Sequence, residues 1–349
     1  MESLTSKKYF SFIKGIAIIL MITHHAYGFP DYYVLEVNNH FLEFGKNIDF
    51  LRDTTKICVP IFVFLTGGGY CLRSNTSISY SVSKVKKFLL DYWIVLFLLM
   101  GVSVFNGYRP TFQGVLLEMF GLKLYVMRFC WYVSFYIVLM FVFPIYAQVI
   151  KKKQSVKWDI GISIAFCIAA QLLVKIVETI DEYKVMQGLA IYLPVALMGY
   201  LFSKYDILKK INANIHCTKI SGIITGILLI CVSLIIHGIK PYIKGISVGI
   251  IAVPILMEGI ALTQISEVNC FGKVVRILGK QSMNIWFLHC IFFSLTTREI
   301  FQPVAYIFRN PFLVVTWILF LCTMASFPIE KLQKEVLKKM YVIKSALIK

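Results

Sequence analysis

Lys14 and His25 stand eleven residues apart in the apolar run Phe12-Ile13-Lys14-Gly15-Ile16-Ala17-Ile18-Ile19-Leu20-Met21-Ile22-Thr23-His24-His25. On a helix, eleven residues turn roughly 20° beyond three full turns, so the two side chains share a face about 16 Å apart. An ammonium and an imidazole inside an apolar segment are costly in lipid, and such groups mark functional sites. Imidazole titrates near neutrality and serves as a general base or a transient acyl acceptor. Both roles stay open for His25. His24 is turned about 100° onto another face, where it either joins the chemistry or ties helices together.

Other polar groups interrupt the apolar sequence. Lys84 and Lys87 of Lys84-Val85-Lys86-Lys87 are three residues apart and share a helix face. With Lys14 they form a cationic site suited to phosphates, although such a run is also a topology determinant. His289 closes Leu278-Gly279-Lys280-Gln281-Ser282-Met283-Asn284-Ile285-Trp286-Phe287-Leu288-His289. It is expected inside an apolar helix, about 12 Å from the inner end. Glu258 sits alone among apolar residues, and an intramembrane carboxylate needs a partner or a proton; it is either a second participant in the chemistry or a bridge between helices. His237 is expected to be exposed near an outer helix end. Gly67, Gly68 and Gly69 allow a second backbone or a narrow ligand to come close.

These residues need a scaffold, and the composition says which kind. The 349-residue chain is 58% hydrophobic and 15% charged, with a mean hydropathy of +0.75. A soluble domain is nearer 45–50% apolar and about 25% charged. The apolar blocks approach the roughly 20 residues needed to cross a bilayer. The expected fold is therefore an all-α, polytopic transmembrane helix bundle, read as one domain over 1–349. About ten spans are expected, near 12–29, 57–73, 88–105, 131–150, 158–175, 187–203, 220–239, 243–262, 281–297 and 311–328. The stretch Phe112–Val126 is too short to cross and reads as interfacial or re-entrant.

The formal net charge of +18 acquires meaning from its placement. Alternating segments put most Lys and Arg residues on the side of the N-terminus, among them Lys7, Lys8, Lys151, Lys152, Lys153, Lys209, Lys210 and six lysines after Glu330. Asp31, Glu36, Glu43, Asp49 and Asp53 fall on the other side. Cationic loops stay cytoplasmic, so both termini are expected inside, and the basic excess is a topology signal with membrane lipid or an anionic cofactor as secondary partner. Nucleic acid is not an expected partner. The first outer loop is also aromatic (Phe29, Tyr32, Tyr33, Phe41, Phe44), which suits an interface belt or a sugar face.

The nine cysteines lack metal-ligand spacing and a secreted disulfide pattern, so they read as packing residues and no metal is expected. The first apolar segment has no small-residue cleavage site and is read as retained. Serine nucleophile elbow, Walker loop, HExxH and dinucleotide fingerprint are all missing from the sequence.

Four segments in order resemble the acyltransferase-3 family of integral membrane acyltransferases. Lys14 to His25 fits the family's basic-x10-His signature. Val59-Pro60-Ile61-Phe62-Val63-Phe64-Leu65-Thr66-Gly67 is similar to its Pro-x-Phe-Phe-x-x-Ser-Gly helix. Cys130-Trp131-Tyr132-Val133 resembles its Leu-Trp-Phe-x stretch, and Leu278-Gly279-Lys280-Gln281-Ser282 to His289 its Leu-Gly-x-x-Ser…Leu-His segment. Two departures stand out. Lys84-x-x-Lys87 replaces Arg-x-x-Arg, which keeps charge but loses the bidentate fork, and Thr66-Gly67 replaces Ser-Gly.

The resemblance implies transfer of an acyl group, usually acetyl from cytoplasmic acetyl-CoA, to a hydroxyl of a surface polysaccharide or its lipid-linked precursor. It implies a bacterial cell membrane, a carbohydrate acceptor and an acyl-CoA donor, and allows a polysaccharide-assembly complex as a further partner. Lys14, Lys84 and Lys87 would hold the CoA phosphates, while His25, with His24, Glu258 and His289 as further candidates, would act at the reacting centre. The extracellular SGNH-type domain fused to some relatives is not expected here. A transporter or flippase of a polysaccharide intermediate is the competing class, since polar groups in spans also mark transport paths. A noncatalytic membrane partner in glycan assembly is the third.

Overall fold

The computed structural model describes residues 7–29, 48–73, 76–151, 155–177, 185–214, 218–263, 265, 269–308 and 310–347. Helix α1 (Lys7–Tyr27) is unbroken. It is followed by α2 (Ile48–Thr55), α3 (Cys58–Cys71), α4 (Ile78–Phe105), α5 (Phe112–Met119), α6 (Tyr132–Lys151), α7 (Val156–Val177), α8 (Val185–Lys204) and α9 (Ile207–Asn214). Next come α10 (Lys219–Ile239), the two-residue strands β1 (Tyr242–Ile243) and β2 (Ile246–Ser247), and α11 (Gly249–Thr263). The order closes with α12 (Asn269–Leu288), the single turn α13 (Cys290–Phe293), α14 (Arg298–Ala305) and α15 (Pro311–Leu347). The strands pair antiparallel, Tyr242 opposite Ser247 and Ile243 opposite Ile246.

Among the described residues, eight helical stretches are long and apolar enough to cross a membrane. Their exposed faces show the solvent they are built for. Along α7, Ile160, Ile164, Ile168, Leu172 and Ile176 are all exposed, one apolar stripe at four-residue spacing. In water such a continuous patch invites aggregation; against acyl chains it costs nothing.

Two expected spans take another form. The stretch 243–262 is a β-hairpin followed by the 15-residue helix α11. The stretch 281–297 is not one helix. Helix α12 begins at Asn269, and regular helix stops at Leu288, before the turn of α13. Its first half escapes a hydropathy reading because Lys273, Arg276 and Lys280 dilute it, yet Val275 and Leu278 are buried.

The chain forms two compact units. The first comprises Met1–Gly28, Phe44–Ser83 and Ser134–Lys280, the second Phe29–Glu43, Lys84–Val133 and Gln281–Lys349. In the first unit α3 packs on α1 and α8, α10 packs on α11, and α2 lies against α1 and α10. Glycines set the closest crossings. A Cβ at Gly67 would strike the Ala196 carbonyl, and one at Gly199 the Phe64 carbonyl, so α3 and α8 meet backbone to backbone. The same device joins α1 to the first half of α12: Gly15 faces the Val275 carbonyl and Gly279 the Ser11 carbonyl. In a bilayer, helix association depends on such close packing. Polar groups add a second fastening. Asp159, fully buried, accepts hydrogen bonds from Lys204 and from the Tyr205 hydroxyl (2.6 Å).

In the second unit, Tyr92 donates to the Glu118 carbonyl (2.9 Å) and the Trp93 indole to the Met119 carbonyl (2.8 Å), which pins α5 to α4. Helices α4, α12 and α15 share a buried amide cluster. Asn284 Nδ2 donates to Gln333 Oε1 (3.1 Å), and Gln333 Nε2 donates to Asn284 Oδ1 (2.9 Å) and to the Asp91 carbonyl (3.1 Å).

Candidate functional site

Because α1 is continuous from Lys7 to Tyr27, Lys14 and His25 do share one face, about 16 Å apart along the axis. Lys14 is half-buried, one turn after Phe10 on the same face, and makes no hydrogen bond or ion pair with a described residue. Phe10, Phe64, Phe202, Ser203, Asp206 and Lys209 line a small pocket of about 20 Å³ that opens to solvent. His25 is buried at 8% exposure in the last turn of α1.

His24, equally buried, is held differently. Its Nδ1 lies 2.8 Å from the Arg52 carbonyl of α2. A carbonyl only accepts, so Nδ1 carries the proton. The two neighbouring imidazoles have ring centroids 5.2 Å apart, tilted by 55°.

Glu258 belongs to the other end of α1. The Tyr9 hydroxyl donates to the carbonyl of Met257 (2.6 Å), the residue before Glu258. Tyr9 precedes His25 by sixteen residues of unbroken helix, about 24 Å. Glu258 and His25 are therefore not brought together, although both are buried.

Lys84, Lys87 and His289 lie in the second unit. Lys87 pairs with Asp91 at 2.6 Å, so its charge is already answered by a carboxylate of its own helix. Asp91 is 2% exposed, and its Oδ1 has no partner among the described residues. Lys84 is half-buried one turn earlier. His289 is fully buried and stands just past the last residue of α12, about 30 Å from that helix's first residue. It is thus at the far end of the helix rather than near its start, and not inside it. Its Nδ1 contacts the Trp286 carbonyl, a side-chain bond that competes with the helix ladder where the helix stops. The His289 ring packs near Phe129 (6.1 Å) and Phe293 (5.9 Å).

His237, expected to be exposed, is 1% exposed, and its Nδ1 lies 2.8 Å from the Asp53 carbonyl. Hydropathy placed it at a helix end; the packing of α2 against that end buries it. The aromatic and acidic loop over 30–47, with Tyr32, Tyr33, Phe41 and Phe44, lies outside the described residues; Phe29 stacks near Phe129 at 5.2 Å.

Glu118 is a residue the sequence reading passed over. It is 1% exposed; its Oε1 accepts the amides of Tyr125 (3.1 Å), Val126 (2.6 Å) and Met127 (2.7 Å), and its Oε2 has no partner among the described residues. One carboxylate oxygen thereby folds the loop that delivers Arg128 and Phe129. The signal was a lone acidic residue in an apolar stretch, the same signal that singled out Glu258. Burial raises the Glu118 carboxyl pKa, against the three amides that lower it. The folded loop then holds this proton more tightly than the unfolded chain does. Its stability is greatest below the ordinary carboxylate range and falls as pH rises toward the raised value. Glu118→Gln is expected to keep the amide bonds and flatten that dependence. Glu118→Ala leaves the buried Val126 and Met127 amides unmatched, at about 1–3 kcal/mol each, and frees the part-buried Tyr125 amide. Hydrogen exchange at amides 125–127 reads both, and unchanged protection in the alanine variant would contradict the assignment.

The four sequence segments singled out above take definite places. Gly67 and Gly279 make the two backbone crossings, Thr66 donates to the Phe62 carbonyl (2.8 Å), and Tyr132 meets the edge of Trp286 at 5.7 Å. Among the described residues no cluster of His, Cys, Asp and Glu is suited to hold a metal ion. No curated protein and no solved structure matches the chain. Residues 7–331, from the first turn of α1 to within α15, do match the acyltransferase domain that defines a family of membrane enzymes. That match spans both units and every segment just placed, and it makes the chain a member of the acyltransferase 3 family, a multi-pass membrane acyltransferase.

Proposed function

We propose that the protein moves an acyl group, acetyl in the first instance, from cytoplasmic acyl-CoA to a hydroxyl of a surface polysaccharide or its lipid-linked precursor, in a bacterial plasma membrane. The observation that carries this reading is the Lys14–His25 pair on one face of an unbroken helix. With the lysine-rich ends inside, Lys14 faces the donor's side and His25 the acceptor's. A pantetheine arm has to span a gap of this order, about 16 Å, when its phosphates are held at the inner mouth.

In this reading His25 takes the proton of the acceptor hydroxyl as its oxygen attacks the thioester carbonyl. The carbon–sulfur bond breaks and CoA leaves as the thiolate, which collects a proton. Alternatively His25 carries the acyl group between two such steps. Lys84, in the second unit, is a further candidate for phosphate binding. Lys87 serves that role only by sharing its charge with Asp91.

The donor side is tested by Lys14→Gln in membranes supplied with labelled acetyl-CoA. Loss of one charge-assisted contact should raise KM for the donor about tenfold with kcat near wild type. An unchanged KM would remove Lys14 from the donor site.

A further inference from the structure

We propose that His24 and His237 are positioning residues that clamp α2 across the C-terminal ends of α1 and α10, and that this clamp fixes the last turn of α1, which carries His25. The proposal rests on the reading of His25 as the reacting imidazole.

An α-helix leaves its last four carbonyls without an intrahelical partner. In the eight-residue α2, Arg52 O also accepts the Lys56 amide (3.1 Å) and the Thr55 hydroxyl (3.3 Å), so imidazoles supplement the bonds already made at its C-terminal carbonyls. Two consecutive ones meet imidazoles from two other helices. Arg52 O takes His24 Nδ1 at 2.8 Å, and Asp53 O takes His237 Nδ1 at 2.8 Å. Both rings donate from the same nitrogen, and both side chains are buried. Imidazole at a helix C-terminus satisfies the carbonyl and suits the dipole there.

Glycines give the second, independent observation. Gly28, whose amide bonds to the His24 carbonyl (2.8 Å), lies where a Cβ would strike that same carbonyl and come within 2.8 Å of Arg52 Cγ. Gly238, next to His237, lies where a Cβ would strike Thr54 Oγ1 and come within 2.9 Å of Phe50. Each imidazole bond is therefore paired with a small residue that lets α2 settle against the same helix end. One face of α2 is shaped to two helices at once.

The consequence falls on His25. It is two residues from the end of α1, in a terminal turn of the kind that frays when nothing holds it. His24 is its neighbour, turned about 100° away, so the clamp holds the turn without occupying the face His25 uses. Two adjacent histidines thereby divide the work, one holding the turn and one facing the Lys14 stripe.

The experiment compares His24→Ala, His237→Ala, the double variant, and His24→Asn and His237→Asn, whose Nδ2 can stand where the imidazole Nδ1 stands. Two readouts are taken on the full chain in membranes or nanodiscs: amide exchange over 48–57, and kcat and KM with labelled acetyl-CoA. Each alanine variant should speed exchange in α2 about tenfold and lower kcat about tenfold with KM for the donor unchanged, while the asparagine variants recover most of both. Because both histidines act through α2, the double variant should lose far less than the product of the two single losses. Unchanged α2 exchange in both alanine variants would overturn the clamp. Loosened α2 with full kcat, or losses that simply multiply, would overturn its link to His25. Should His25→Ala retain full transfer, the reading of His25 fails, while the exchange result still decides whether the clamp exists.

Discussion

Replacing His25 with alanine is expected to lower acyl transfer by about 10²–10⁴-fold, the range a lost general base costs, at unchanged protein level. The argument is positional. His25 is the buried imidazole on the Lys14 face of α1, and His24, next to it, is engaged at Nδ1 by the Arg52 carbonyl. The check compares O-acyl content of the surface glycan in wild type, a deletion strain and the His25→Ala strain. A well-expressed variant that acylates normally would end the assignment of His25. A deletion that abolishes glycan export but leaves the precursor acylated would favour the transporter reading instead. Exchange of labelled CoA into acetyl-CoA without any acceptor distinguishes the two roles of the imidazole. An acyl-histidine supports such exchange, and direct transfer does not.

A second large effect is expected from one methyl group at Gly15. Its ideal Cβ falls on the Val275 carbonyl, and the reciprocal position at Gly279 falls on the Ser11 carbonyl. Backbone cannot step aside as the tip of a side chain can, so Gly15→Ala must part α1 from α12. Overpacking costs about 1–3 kcal/mol, and Gly15→Val should exceed that and abolish folded protein. Gly69 and Gly101 are the contrast, since a Cβ at either meets nothing within 4 Å. There the same substitution relieves a helix of glycine and should stabilise by about 0.5–1 kcal/mol. Thermal unfolding in detergent measures all four. Equal losses at Gly15 and Gly69 would show that the crossing, as drawn, does not govern stability.

Hydropathy made the α-helical membrane class legible, because a 20-residue apolar block has few other uses. The helices it located best are those in uniformly apolar sequence, such as α7 and α10. It failed where the pattern was mixed. Helix α12 buries Val275 and Leu278 while carrying Lys273, Arg276 and Lys280, and it ends beside His289, whose Nδ1 contacts the Trp286 carbonyl, a contact that no hydropathy scale contains. Glycine told a similar half-story. Of Gly67, Gly68 and Gly69, the sequence announced a close approach, but only the packing shows that Gly67 meets the Ala196 backbone and Gly69 meets nothing.

What the sequence alone determined is the set of relations inside one helix: that Lys14 and His25 share a face, that His24 does not, and that the chain must hold them in lipid. Those relations follow from 3.6 residues per turn and from the cost of polar groups among acyl chains. Partners across helices were decided only by the tertiary structure. It put Glu258 at the Tyr9 end of α1, away from His25, answered Lys87 with Asp91, and brought His24 and His237 to neighbouring carbonyls of α2. The physical reason is that spacing along one helix is fixed by backbone geometry. Which helix lies against which depends on contacts between residues far apart in the chain, as at Gly15 against Val275, and these have no local signature.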